Sequence, residues 1–443
     1  MKPYLTQSNY FNFLLAIFPL SFIAGNLIIN INLVLLVISG LIIFKSKIFQ
    51  INNLEDKLIF IFFLLIIFTG ALNDYNLYQV KVEWSKIINI DTHQYFETII
   101  KSFLFFKYFL FYLIIKFLIE QKIINLKYFF ITCSFGALFV SLDIILQFLT
   151  GRDIFGYEII PPGRKLGGPF NDELIAGGYI QRFSIFIFFL IPVFYNESSI
   201  KKKMKILIPI LFIIIFIGLI LSGNRISLII FSLIIFLIIV FQKQVRKYIV
   251  PAFVSFVIIF SIFYKFNNQV KMNFKNFSNQ IYLITSFITD KNNKDQNYSY
   301  VNVFQTFYGT WQMNKFLGGG IKNYRYYCHE RPKIKENLKY HCNMHPHNYY
   351  LEILTETGII GFSIIILILA LVTFKSFFRK YFLSSFLNEN NLIIPFIFLF
   401  IGEFFPFRST GSFFTTGNST YIILIMAILI GLSNNHNLID KKN

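Results

Sequence analysis

Charge is what this sequence has least of. Only 14% of its 443 residues are Asp, Glu, Lys or Arg, where a soluble domain carries about 25%. That deficit excludes a disordered chain, a coiled coil and an ordinary cytosolic enzyme. Several chemical signatures are missing as well. There is no Walker sequence, no Rossmann glycine fingerprint, no HExxH, no DxD and no CxxC, so the nucleotide and metal machineries those patterns build are not expected. No internal repeat is evident, and neither end reads as a soluble domain. The N-terminal apolar run has one cation before it, Lys2, and no convincing small-residue cleavage site after it. It reads as a retained first span rather than a cleaved signal.

Apolar residues fill the space that charge leaves. They make up 55% of the chain, with 59 Phe and a mean hydropathy of +0.60. Apolar runs fall near 10–26, 28–44, 57–72, 97–119, 128–149, 174–195, 206–221, 226–241, 249–265, 349–373, 391–405 and 418–433. A spanning helix takes about 20 residues, so twelve use roughly 240. The runs are continuous rather than alternating, which excludes a membrane barrel. The expected fold is therefore an all-α polytopic membrane protein of about twelve transmembrane helices. Residues 1–265 hold spans one to nine, 266–348 form one long loop, and 349–443 hold spans ten to twelve and a short tail.

Orientation follows from cations in short loops. Lys45, Lys47 and Lys57, Lys122 and Lys127, Lys201 to Lys203 and Lys205, Lys243, Arg246 and Lys247, and Lys375, Arg379 and Lys380 fall on alternate loops. They share one side, expected to be cytoplasmic along with both termini. Lys81, Lys86, Arg164 and Lys165 fall on the other side and blur the bias. The long loop is also external, yet it carries eleven Lys/Arg against four Asp/Glu. An anionic partner on the outer face is the simplest cause of that excess; a solvated, genome-biased loop is the alternative, and genome composition also accounts for part of the overall +19.

Three cysteines are present. Cys133 falls inside a span and reads as a small core residue. Cys328 and Cys342 share the long loop, where a disulfide is favoured in an oxidising compartment. A zinc site that adds His329, His341, His345 and His347 is the competitor, although Pro346 disfavours a continuous helix through His341 and His345, the pair with a four-residue offset. Two free thiols are the third possibility.

Four of the six histidines gather at the end of that loop. His345-Pro346-His347-Asn348 leads straight into the tenth span, which opens with Glu352 and Glu356 and continues through Gly358 and Gly361. Pro346 suits a first helical turn, so His347 is expected at the outer membrane interface. An imidazole there can serve as a proton acceptor. Carboxylates within a span usually face a cavity or a cation. The two glycines are expected to let another helix approach. The bland alternative is a set of snorkelling interfacial side chains.

His347-Asn348, nine residues, then Gly358-x-x-Gly361 resembles the His-Asn-x9-Gly-x-x-Gly pattern of the O-antigen ligase and O-antigen polymerase superfamily, in which a preceding His-Pro is also common. Ser222-Gly223-Asn224-Arg225 is similar to its Ser-x-x-Arg. Gly167-Gly168-Pro169-Phe170-Asn171-Asp172 followed by Ala176-Gly177-Gly178-Tyr179 resembles its glycine-rich entry to the sixth span, and Gly318-Gly319-Gly320 its glycine turn. The similarity covers roughly residues 150–435. It implies a GT-C-like membrane fold and a metal-independent glycosyltransferase without a cofactor. The implied donor is an undecaprenyl-diphosphate-linked glycan. The acceptor would be a lipid A-core lipopolysaccharide or another glycan, met at the periplasmic face of a bacterial inner membrane. Inner-membrane lipids are the surroundings, and no nucleic-acid partner is expected.

That chemistry needs a base for the attacking hydroxyl and cations for the departing diphosphate. His347 is assigned the first role. Arg225 is assigned the second, because a guanidinium matches phosphate geometry. Arg164, His345, Asn348, Arg408, Lys322 and Arg325 are candidate substrate contacts. Arg408 is also a candidate ion pair with Glu403, Arg331 a further loop cation, and Asn171-Asp172-Glu173 a candidate helix cap. The reading leans to a ligase. A polymerase of the same superfamily and a protein oligosaccharyltransferase are alternatives. A polytopic transporter is the rival from another class. Its mark would be inverted repeats or helices broken in mid-bilayer, and no convincing pair is seen.

Overall fold

The computed structural model describes residues 2–85, 97–159, 165–194, 198–266, 299–324, 345–382, 392–406 and 411–440, together with Cys328, Cys342, Arg408 and scattered positions between 268 and 282. Among the described residues it contains helices and turns and no strand. Apolar runs become helices because a lipid-embedded backbone must satisfy its own hydrogen bonds.

The order is α1 (Lys2–Ala24), α2 (Asn26–Phe44), α3 (Leu54–Ser85), α4 (Glu97–Phe105), α5 (Lys107–Glu120), α6 (Leu126–Thr150), α7 (Ala176–Phe183), α8 (Ile185–Phe194), α9 (Ser198–Leu221), α10 (Arg225–Phe241), α11 (Lys243–Phe266), α12 (Ser299–Met313), α13 (Tyr349–Thr373), α14 (Ile394–Glu403) and α15 (Thr416–Asp440). Each of the twelve apolar runs is helical. Among the described residues, seven helical segments are long and apolar enough to cross a membrane, and four more are shorter apolar helices. The chain is an all-α polytopic membrane protein. Two of the expected spans are bent: α4 meets α5 at Phe106, and α7 meets α8 at Ser184. A π-helical stretch, Phe374–Phe382, extends α13.

α5 and α15 pack against each other at the centre, and α6 is flanked by α1 and α9. Asparagine side chains start three of the helices. Asn125 caps α6 by accepting from the Lys127 N–H at 3.0 Å, and Asn224 caps α10 from Ser227 at 3.4 Å. Asn348 caps α13 from the N–H groups of both Tyr350 and Leu351, at 2.9 and 3.2 Å. Such caps supply acceptors to amides that the helix leaves unpaired. The Asn171-Asp172-Glu173 cap does not form. Asn171 sits in a left-handed turn after the Gly168–Phe170 3-10 turn, and α7 starts later, after Ile175, with no side-chain cap.

A buried polar cluster ties one end of the bundle together. Asp56 accepts from the Tyr112 hydroxyl and from Lys116 Nζ, each at 2.5 Å, and Lys375 pairs with Glu55 at 2.6 Å. Every carboxylate oxygen named here has a donor, which is what makes such burial tolerable.

The long loop differs from a plain solvated connection. Its helix α12 packs on α13, with Phe307 stacked on Tyr324 at 3.8 Å and Cys328 buried beside them. Cys328 and Cys342 are bridged, with their Cα atoms 5.7 Å apart. The bridge uses both thiols that a zinc site would have needed; His329 and His341 lie outside the described residues.

α13 is not a continuous helix. Gly358 has φ 66° and ψ −172°, backbone angles open essentially to glycine alone. The interruption releases backbone groups, and an upstream segment takes them up. Gly319 N–H donates to the Thr355 carbonyl at 3.0 Å and Gly320 N–H to the Glu356 carbonyl at 2.9 Å. In return, Ile359 N–H donates to the Lys315 carbonyl at 2.9 Å and Ile360 N–H to the Phe316 carbonyl at 3.3 Å. A side chain on Gly358 would overlap the Phe316 carbonyl, and one on Gly318 would overlap the backbone at Glu356. So the partner that Gly358 admits is a loop, not a helix. Gly361 does admit a helix, with Leu65 of α3 lying against it. α13 is therefore a broken helix, and the groups released at its break are bound by the protein's own backbone.

Candidate functional site

The site assembles where four chain segments meet at one end of the bundle. The first contact joins two of the glycine-containing motifs. Gly177 on α7 leaves room for the turn Ser222–Asn224, whose side chains a Cβ at Gly177 would strike at 2.5 and 2.7 Å. That turn delivers Arg225 as the first residue of α10, half-buried in a small cleft with Leu219, Ile220, Asn224, Leu228 and Phe274.

Further along α7 lies Arg182, which the sequence reading passed over. Its Nη2 pairs with Glu403 Oε1 at 2.5 Å, and its Nε donates to Glu403 Oε2 at 3.2 Å. Nη2 also donates to Asn418 Oδ1 at 2.8 Å, and the guanidinium lies 4.6 Å over the Tyr421 ring. Arg408 approaches the same carboxylate from the loop after α14, with Nη1 2.6 Å from Oε2. Tyr349, the first residue of α13, donates its hydroxyl to Glu403 Oε1 at 3.0 Å. Glu403 is 2% exposed and holds two arginines and a tyrosine, so the group keeps one surplus positive charge. A lone arginine inside the 174–195 apolar run was the available signal for Arg182, since a buried membrane cation is paired or functional by default.

His347 stands immediately before this group. It is exposed, and its backbone is left-handed at φ 57°. The conformation is held from both sides. Pro346 is buried, and Asn348 not only caps α13 but also donates Nδ2–H to the Pro406 carbonyl at 2.8 Å. The Asn348 side chain is thus committed to the scaffold, aiming the imidazole. The half-buried His345 ring packs edge-on against His347, with centroids 4.4 Å apart. Burial first, and the neighbouring imidazole second, push His345 down to about 4. It is neutral across the physiological range and adds no charge beside His347.

The other candidates part company. Lys322 has a left-handed backbone and lies in electrostatic reach of Glu352 and Glu356. Lys107 of α5 is also within its electrostatic reach. Glu356 accepts the backbone N–H groups of Lys322 and Tyr324, and Glu352 Oε2 accepts from Phe413 N–H at 2.5 Å. These carboxylates latch loops onto α13 in addition to facing a cation. Arg164, Arg325 and Arg331 lie outside the described residues. No group of three or more His, Cys, Asp or Glu able to hold a metal ion occurs among the described residues.

The two arginines on Glu403 carry a testable consequence. Removing one partner from a buried pair leaves uncompensated charge and costs about 3–5 kcal/mol. Glu403→Ala is expected to lose that much stability, with a lower melting temperature in detergent. Glu403→Gln, which keeps acceptor and shape, is expected to lose less. Equal melting temperatures for Ala, Gln and wild type would refute the role given to Glu403.

Comparison with known families adds a finding on the same residues. No curated protein matches the chain. Residues 210–387 match the family model described as O-antigen ligase. The match takes in Arg225, α12, the glycine turn, the cysteine bridge, both packed histidines and the interruption in α13, and ends before Glu403 and Arg408. The matched stretch is less than half of the chain, and over it the protein is similar to the O-antigen ligase family.

Proposed function

We propose that the protein transfers a glycan from undecaprenyl diphosphate to a lipid A-core acceptor at the periplasmic face of the bacterial inner membrane, with both termini in the cytoplasm. The observation that carries this reading is an exposed imidazole, fixed by its flanking residues, at the same end of the bundle as Arg225 and the Arg182–Glu403–Arg408 group. The acceptor hydroxyl attacks the anomeric carbon of the donor sugar. His347 accepts the hydroxyl proton as the new C–O bond forms. The bond from that carbon to the diphosphate oxygen breaks, and the polyprenyl diphosphate leaves with the electron pair. Arg225 stabilises the charge that builds on it, and the surplus cation around Glu403 adds to the local potential. The lipid diphosphate itself supplies the driving energy, so this chemistry asks for no metal and no nucleotide. Arg164, Arg325 and Arg331 would recruit the anionic substrates from the loops.

A polymerase would use the same donor and take a second lipid-linked glycan as acceptor. The decisive experiment is purified protein in detergent or nanodiscs with a lipid-diphosphate glycan, offered lipid A-core or further donor, and read by gel shift. A ladder on lipid A-core supports the ligase. Chain growth on the carrier alone reassigns the protein to the polymerase reaction. No transfer to either acceptor overturns both. In the same assay Arg225→Lys is expected to slow transfer roughly 10–100-fold, less than the roughly 10²–10³ typical of losing an electrostatic donor outright, because charge survives while the bidentate fork is lost. Wild-type rates in that variant would remove Arg225 from the clamp.

A further inference from the structure

We propose that α12, although it belongs to the long external loop, lies in the lipid interface of the membrane, with its aromatic face against the acyl chains and headgroups rather than in water. The sequence already sets it apart. The loop carries eleven Lys/Arg and four Asp/Glu, yet no charged residue falls between Asp295 and Lys315, the stretch that contains α12. A helix bathed in solvent normally keeps a charged face.

Its two faces are both accounted for. One turns towards α13 and buries Asn302, Val303, Thr306, Phe307 and Thr310. The Thr306 and Thr310 hydroxyls donate to carbonyls one turn back, at 2.6 and 2.8 Å, so that face needs no further partner. The opposite face exposes Phe304 at 55% and Tyr308 at 48%, and Phe316 follows at 69%. Trp311 closes this ridge. Its ring lies 5.8 Å from Tyr308, and its Nε1–H donates to the Lys315 carbonyl at 3.1 Å. Trp and Tyr with a satisfied polar edge and an apolar body favour the membrane–water boundary.

Continuity with the lipid-facing side of a spanning helix identifies the occupant. The hydrogen bonds from Ile359 to Lys315 and from Ile360 to Phe316 set Phe316 beside two exposed isoleucines of α13. The exposed Ile366 and Leu367 follow on the same helix. The apolar surface therefore runs from the spanning part of α13 onto the end of the ridge, with one exposed charge, Lys315, where the two meet. Lys315, exposed at the junction, has the length to reach lipid phosphates while its stem stays apolar. A sugar-stacking platform would also use aromatic rings, but it has no need to merge with a lipid-facing helix.

The chain contains two tryptophans, Trp84 and Trp311. Trp84→Phe leaves Trp311 as the sole reporter in full-length protein. The variant is reconstituted into phosphatidylcholine vesicles with lipids brominated near the headgroup end of the acyl chain. Blue-shifted emission, quenching by the bromolipid and shelter from acrylamide are the expected result. Red-shifted emission quenched by acrylamide alone overturns the proposal. Emission that ignores bromolipid but shifts with a soluble oligosaccharide also overturns it, in favour of a glycan platform. If Trp84→Phe does not fold, Tyr308→Cys with an environment-sensitive thiol label gives the same reading, since Cys328 and Cys342 are bridged and Cys133 is buried. The readout is independent of glycan transfer, so it stands apart from the enzymatic assignment.

Discussion

Replacing His347 by Ala or by Asn is expected to cut glycan transfer by roughly 10²–10⁴-fold, the usual worth of a positioned general base, without preventing insertion or folding. The expectation of an intact fold has a specific basis. His347 is exposed and holds a left-handed backbone, so its side chain contributes little packing while its backbone conformation matters. Asn tolerates that conformation better than most residues, which makes His347→Asn the closest match in structure and Ala the harsher control. Both lack the proton acceptor. The Asn348 cap and its bond to Pro406 should persist in either variant. Lipopolysaccharide profiles and in vitro transfer check the loss, and melting temperature and the oxidised state of Cys328–Cys342 check the fold. A normal lipopolysaccharide profile from either variant would remove His347 as the base.

Gly358→Ala is expected to be nearly as damaging to transfer, by a wholly different route. The added Cβ overlaps the Phe316 carbonyl, and the backbone angles at Gly358 are ones an alanine resists. The strain alone is worth about 1–3 kcal/mol. Relief requires the Lys315–Gly320 segment to move, which breaks four hydrogen bonds of about 1 kcal/mol each. The expected outcome is a destabilisation of several kcal/mol, a new tryptic cut at Lys315, and loss of transfer although no proposed catalytic group is altered. Wild-type protease resistance and wild-type transfer together would show that the interruption is incidental.

How far the sequence anticipated this can be judged on particular residues. The spans were legible because a lipid-embedded backbone leaves few alternatives, and every apolar run is helical. The places of His347, Arg225 and Arg408 near span ends were legible, as was the pairing of Arg408 with Glu403. Arg182 was missed because one cation in a long apolar run looks like noise until Glu403, far along the chain, is set beside it. The role of Gly358 was misread for a related reason. Local pattern shows that a glycine admits something close, but not that the guest is a stretch of backbone from the preceding loop. α12 was absorbed into a basic loop, although the charge-free stretch between Asp295 and Lys315 was there to be noticed. In each case the missing information is pairing across long sequence separation, which periodicity does not encode.

The exchange of hydrogen bonds between Lys315–Gly320 and Thr355–Ile360 also sets the rules for building hybrids of this protein. The two stretches form a single seam. A chimera that imports one without the other will leave amides and carbonyls mismatched across it. Donor and recipient sequences should therefore be joined before α12 and after Gly361, so that the seam, the cysteine bridge and the paired imidazoles travel as one cassette.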